Sequence, residues 1–284
     1  MAMLTIARLT ITETIRRRIA LVLLGLTVVS VILTTWGMER LVSLARADGV
    51  QEFQIYIVVS QLLILIAFMF SFVLAMTAAF LGAPAIATDL ESGVAQSMLA
   101  RPIRRADLVV GRWLGLVLVI AAYAVLSGLL EIAAIGFVSG YNPPQPLPAV
   151  AFLAAQAVVL LTLALLFSTR LPAIAAGAIS VVLYGLGWMA GVFAVIGRFF
   201  DAAPLVAAAE ASRWLLPSDG LWRGTIYGLE PPAFLFISLG RNVPSGANPF
   251  SAAGPPAPVF LAWSAAWVVI VLGLAVISLR RRDL

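Results

Sequence analysis

The chain has 284 residues, 62% of them hydrophobic and 11% charged, with a mean hydropathy of +1.07. Soluble domains carry about 25% charged residues, so the composition excludes a water-soluble fold and points to a membrane protein. The net charge of +5 rests on 18 arginines with no lysine, histidine or cysteine, which removes lysine-dependent phosphate loops, histidine zinc and haem sites, Ser-His-Asp triads and Schiff-base lysines.

Residues 1–18, MAMLTIARLTITETIRRR, place Leu4, Ala7, Ile11 and Ile15 at helical spacing among Arg8, Glu13, Arg16, Arg17 and Arg18. This predicts an interfacial helix along the membrane surface, imperfect because Ile6 and Leu9 fall on its other side. A plain basic flank of the first span is the alternative. Apolar runs then predict six spans at 19–38, 54–83, 113–138, 149–167, 173–196 and 259–279, each about as long as or longer than the roughly 20 residues that cross a bilayer, the second long enough to tilt or protrude. The small-residue triplet Ala45-Arg46-Ala47 imitates a leader cleavage site, but the preceding apolar core is longer than the roughly 7–15 residues of a leader. Residues 197–258 carry many aromatic, proline and glycine residues. They predict an external or re-entrant segment of two short helices dipping into the outer leaflet, with an interfacial cap as the alternative.

Arginine placement sets the topology. With a cytoplasmic N-terminus, 12 of the 18 arginines fall in inside segments, and four of the remaining six are spread over the long 197–258 segment. Both termini are therefore expected in the cytoplasm. The arginines gather at the ends of oily runs, as membrane anchors do, so no nucleic-acid partner is expected. The two halves are not inverted copies, which disfavours transporter folds built that way.

Residues 87–112 interrupt the pattern, with seven charges in DLESGVAQSMLARPIRRADLVVGR. At about 2.5–3.5 kcal/mol per charge, burying it in the bilayer would cost roughly 17–25 kcal/mol, so it stays outside. Thr88 followed by Glu91 matches a capping box and predicts a helix starting at Asp89, with Pro102 ending it and opening the next. Gly93 inside that helix costs about 1 kcal/mol relative to alanine, unless another backbone must come close. On the residues alone, a short capped surface helix with a break before span three and an ordinary inter-helix loop fit equally well.

The stretch LGAPAIATDLESGVAQSMLARPIRRADLVVGRWLG resembles the signature region of ABC export permeases of the second type. That pattern is an acidic pair, a glycine, leucines, then proline, a hydrophobic residue, arginine, and a later Gly-Lys/Arg before the third span. Asp89, Glu91, Gly93, Leu99, Pro102, Ile103, Arg105, Gly111 and Arg112 occupy its positions. The interfacial helix, the six spans and the closing RRRDL extend the resemblance over most of the chain. LLPSDGLWRGTIYGLEPP, 215–232, is similar to a stretch of permeases related to the copper-maturation system of nitrous oxide reductase.

The resemblance implies an all-α polytopic membrane fold with six transmembrane helices, an N-terminal interfacial helix and a cytoplasmic coupling helix. It implies a homodimer in the bacterial inner membrane, paired with two copies of a separate cytoplasmic ABC ATPase. ATP and Mg belong to that partner; no cofactor or metal is expected on this chain, and no enzyme activity of its own. Coupling to the ATPase is implied for Asp89, Glu91, Gly93, Arg101, Pro102, Arg104, Arg105 and Asp107. An ATP-independent channel or carrier is the rival reading.

Other polar residues are candidates. Glu131 lies within span three, about two turns from its outer end, where a carboxylate is costly. It faces a pathway or gate, pairs with an arginine such as Arg198, or simply snorkels to the interface. Arg213, Asp219 and Arg223 are expected at the outer mouth, and Gln61 and Gln156 as interhelical hydrogen-bond partners. Ala173-x-x-x-Gly177 and Gly187-x-x-x-Gly191 allow close helix approach, either at a dimer seam or within one subunit.

Overall fold

The computed structural model describes residues 2–16, 18–92, 104–232, 249–252 and 254–282, and of residues 18–20 the backbone alone. Every regular element among them is an α-helix: α1 (Ala2–Arg16), α2 (Arg18–Ala47), α3 (Glu52–Gly82), α4 (Pro84–Glu91), α5 (Arg105–Ser139), α6 (Pro146–Ser168), α7 (Ala173–Phe199), α8 (Ala203–Leu215), α9 (Ser218–Leu229) and α10 (Pro258–Arg280). Six stretches are long and apolar enough to cross a bilayer: α2, α3 together with α4, α5, α6, α7 and α10. The protein is an all-α, multi-pass membrane protein.

Helix starts follow proline chemistry. Pro84, Pro146, Pro204 and Pro258 occupy first turns, where a missing amide hydrogen costs nothing and the ring presets φ. α5 ends at Gly140, whose φ of 77° closes the helix in the left-handed region. The helices outrun several predicted spans: α2 continues through Arg40 to Ala47, and α5 begins at Arg105 rather than at Trp113. Charge marks where a bilayer ends, whereas good helix formers continue the helix past it.

α6 is the central post, packing against α3, α5, α7, α9 and α10. Leu160, Leu161, Ala164 and Leu165 on it are fully buried. α2 is the opposite case, with Val22, Ile32, Leu33 and Trp36 all turned outward. Because spans alternate in direction, α1, α4, the start of α5 and the end of α10 share one face of the bundle, called here the terminal face. On the opposite face, Arg46 joins α2 to Glu52 at 2.8 Å and donates to the Ser139 carbonyl at the end of α5 at 3.1 Å.

The capping-box expectation at Thr88 fails. Ala83 keeps helical angles (φ −61°, ψ −47°), so the chain passes from α3 into α4 without unwinding. Thr88 then lies inside α4, where its carbonyl accepts the Ser92 amide at 3.0 Å. Gly93, Leu99, Arg101, Pro102 and Ile103 lie outside the described residues, as does Arg17.

Candidate functional site

At the terminal face, Arg112 reaches two carboxylates from different helices. Its guanidinium donates to Asp89 of α4 at 2.8 Å and to Glu13 of α1 at 2.7 Å. The Arg112 and Asp89 side chains are each 14% exposed and that of Glu13 is 43% exposed, so the pair to Asp89 is the sheltered one and the stronger. The clamp forms because α1 lies directly on α5. A Cβ at Gly111 would meet the Met3 carbonyl at 2.8 Å, and one at Gly115 the Ala7 carbonyl at 2.7 Å. The two missing side chains let the backbones touch, as small-xxx-small spacing allows.

The face of α1 applied to the bundle is Ile6, Ala7, Thr10 and Thr14, while Leu4, Leu9 and Ile15 point outward. Of the predicted membrane-facing stripe, Leu4 and Ile15 are exposed on the outside of the bundle and Ile11 is half-buried, whereas Ala7 belongs to the face applied to α5. Small and β-branched residues make the contact because the partner surface is a glycine groove. Arg8 and Arg16 are exposed.

Arg105 has a different task. It donates to the carbonyls of Leu279, Arg280 and Arg282, between 2.8 and 3.0 Å, and so caps the C-terminal end of α10. Arg282 in turn donates to the Thr169 carbonyl, and Arg170 to the Ser278 carbonyl. Arg104 is the residue preceding α5, and Asp107 lies in the first turn of that helix, where a carboxylate suits the dipole. Glu91 ends α4 and is exposed.

On the opposite face, α8 and α9 form a hairpin set among the spans. α8 runs back along α7, with Val206 near Gly197 and Leu216 near Gly187. α9 returns along α6: Gln156 donates to the Ser218 carbonyl at 3.2 Å, and Gln145 to the Gly228 carbonyl at 3.0 Å. The turn of the hairpin thus sits beside Gln156, roughly 15 Å along α6 from its start at 1.5 Å per residue.

Five charges lock the hairpin. Asp219 binds Arg213 at 2.7 Å and Arg223 at 3.3 Å, and Glu210 binds Arg213 and Arg198 at 2.9 and 3.0 Å. The Asp219 side chain is 5% exposed and fills the space left by Gly191, where a Cβ would meet its Oδ1. Gly187 likewise admits Leu216 and Ser218. These glycines serve packing within one chain.

Two further carboxylates stand apart. Glu131 on α5 accepts a hydrogen bond from Thr34 on α2 and has no ion-pair partner among the described residues. The expected Arg198 is taken by Glu210. Glu230, just past α9, is buried and accepts the Ala252 amide at 3.3 Å. Gln61 approaches Glu230, yet its Nε2 and the Glu230 Oε1 both lack hydrogen bonds. Burial pushes this carboxyl from 4.5 up to about 7, against the opposing pull of Ala252 and Gln61. Burial also raises the Tyr141 phenol, which stays protonated and donates to the Leu229 carbonyl at 2.7 Å.

A family model described as ABC-2 family transporter protein matches residues 4–284. The chain belongs to that family. No curated protein matches it in sequence. ABC-2 permeases are the membrane component of ABC transporters rather than the catalytic one, and they generally work with a cytoplasmic ATPase partner.

Of the residues singled out in the sequence, the permease brings Arg213, Asp219 and Arg223 together, and it joins Asp89 to Arg112. It separates Glu131 from Arg198. The bracing of α1 by Glu13 and Gly115 was overlooked, although Gly111-Arg112-Trp113-Leu114-Gly115 already carried the small-residue spacing. Glu230 was overlooked as well. Its only signal was an acidic residue at the end of an apolar stretch beside two prolines.

Proposed function

We propose that this permease is half of an ATP-driven exporter, in which two copies of the chain work with two copies of a separate cytoplasmic ABC ATPase. The terminal face is the cytoplasmic one, with both termini there, in a bacterial inner membrane. The likeness of residues 215–232 to the copper-maturation permeases supports a place near that branch. ATP and Mg sit on the partner, which supplies the phosphate-binding lysine that this chain lacks.

The observation that carries the reading is the Arg112 clamp. The chain leaves α4 at Ser92 and resumes helix at Arg105, and the Asp89–Arg112 pair ties these two flanks together while Glu13 adds α1. A push on residues 93–103 would then reach three helices at once, and two of them run on into spans two and three. Arg101, Pro102 and Gly93 belong to the pushed segment, with Glu91 exposed at its edge. Glu131 borders the path of the cargo, and the Arg213–Asp219–Arg223 group, expected at the outer mouth, lies deeper, beside Gly191 and the hairpin turn next to Gln156.

The test is co-purification. Tagged permease expressed with a cytoplasmic ABC ATPase from the same genome should retain that ATPase, whereas Glu91→Arg and Gly93→Trp should lose it or lose ATP-driven transport while remaining in the membrane. Undiminished ATPase capture and transport in both variants would refute the coupling role. Transport by the purified chain alone would replace the reading with an ATP-independent carrier.

A further inference from the structure

Two hydrogen bonds pin the outward-facing helix α2 to α5. The Thr27 hydroxyl meets the Tyr123 hydroxyl at 2.8 Å, and two turns further on Thr34 meets the Glu131 carboxylate. Tyr123, Ser127 and Glu131 recur at every fourth position, so they share one face of α5. Beside this polar seam lies a cleft of about 300 Å³, walled otherwise by apolar side chains such as Leu63, Ile66, Phe70 and Leu153. Leu26 lines the cleft and is 50% exposed, so the cleft opens at the surface of the bundle.

We infer that this cleft binds a lipophilic monocation, with an ammonium head against Glu131 and an apolar body among the side chains facing it. An ionised carboxylate at membrane depth is costly unless a positive charge meets it, and no arginine among the described residues does so. A cation carrying its own apolar mass satisfies the charge and fills the cleft together. A lipid chain would fill the volume and leave Glu131 unanswered. The Thr34 hydroxyl suits a site that changes charge state. It has one proton and lies within reach of the Ser30 carbonyl at 2.8 Å, the Val31 carbonyl at 3.2 Å and the carboxylate. It can therefore stay on its own helix or turn to the ionised acid when a cation arrives. The inference rests on Glu131 bordering the transport path and adds the chemical class of the cargo.

The experiment is calorimetric titration of the full-length permease in lipid nanodiscs, with empty nanodiscs as the blank. Phenylbutylammonium is compared with phenylbutanol, which has the same apolar body and no charge. The cation should saturate one site per chain and bind about tenfold tighter than the alcohol, the worth of one charge-assisted contact. Glu131→Gln should bring the cation down to or below the affinity of the alcohol and leave the alcohol unchanged. Ser30→Phe, which fills the cleft and keeps the carboxylate, should abolish binding of both. Equal affinities, an unchanged cation affinity in Glu131→Gln, or cation binding that survives Ser30→Phe each overturn the inference. Binding needs no ATPase, so a permease that binds the cation without ATP-driven export would refute the exporter reading and leave this site standing.

Discussion

The two charge clusters of the permease differ in where their members come from. Glu13, on α1, lies far in sequence from Asp89 and Arg112, and Arg112 reaches both carboxylates. Arg198, Glu210, Arg213, Asp219 and Arg223 all lie within residues 198–223, and three arginines share two carboxylates. The first cluster fixes how separate elements sit on one another, and its Glu13 arm is open to water. The second closes a local hairpin whose central carboxylate, Asp219, is sealed from solvent. On the proposed coupling role, the clamp, with one exposed arm at Glu13, is the cluster that a partner could shift, whereas the sealed hairpin lock would only hold or break.

That contrast can be broken by mutation. Asp219→Ala should have the largest effect, because it removes the 5% exposed carboxylate between Arg213 and Arg223 and leaves only Glu210, on Arg213, to offset two half-buried arginines. Breaking a buried pair by removing one partner costs about 3–5 kcal/mol, read as a lower unfolding midpoint for the permease in nanodiscs. Arg112→Leu should cost less, about 1–3 kcal/mol, because water can take over at Glu13 and only Asp89 is left sheltered and partly unmet. Its main effect should be on function: ATPase stimulated by the assembled transporter should fall well below wild type, with the permease still folded. If Arg112→Leu lowers the midpoint as far as Asp219→Ala and leaves coupled ATPase intact, the clamp is a staple like the other, and the distinction is lost.

Features set by bilayer physics were legible in the sequence. Six runs of apolar residues announced six helices long enough to cross, whereas the flanks of the charged segment 87–112 turned out to belong to two of those helices, Glu52–Glu91 and Arg105–Ser139. What stayed hidden depended on tertiary approach. Nothing local distinguishes Arg105, which caps α10, from Arg112, which clamps α1 and α4; the difference lies in which helix end each one faces. Which residues of α1 meet the bundle was hidden too: Ile6, Ala7, Thr10 and Thr14 are selected by Gly111 and Gly115 of α5, which let the two backbones come close. Thr88 and Glu91 have capping-box spacing, but a cap needs a break in the chain, and Ala83 supplies none.

Glu230 sharpens the comparison from a third position, since it is a buried carboxylate with no arginine partner among the described residues. Its folded value of about 7 lies above the ordinary 4.5, so between those pH values the folded permease holds a proton that the unfolded chain has released. Stability must then fall as pH rises through this window and level off above about pH 7, with the loss on the order of 1–3 kcal/mol. The sequence contains no histidine, so no imidazole titration overlaps the window. Unfolding midpoints measured from pH 5 to pH 8 should decline for the wild type, and Glu230→Gln, which keeps an acceptor for the Ala252 amide, should flatten the curve and be the more stable protein at pH 8. A wild-type midpoint that rises across this range would mean that Glu230 is ionised in the fold and that the amide of Gln61 closes on its carboxylate after all. The permease would then hold three charge-bound carboxylate sites in place of two.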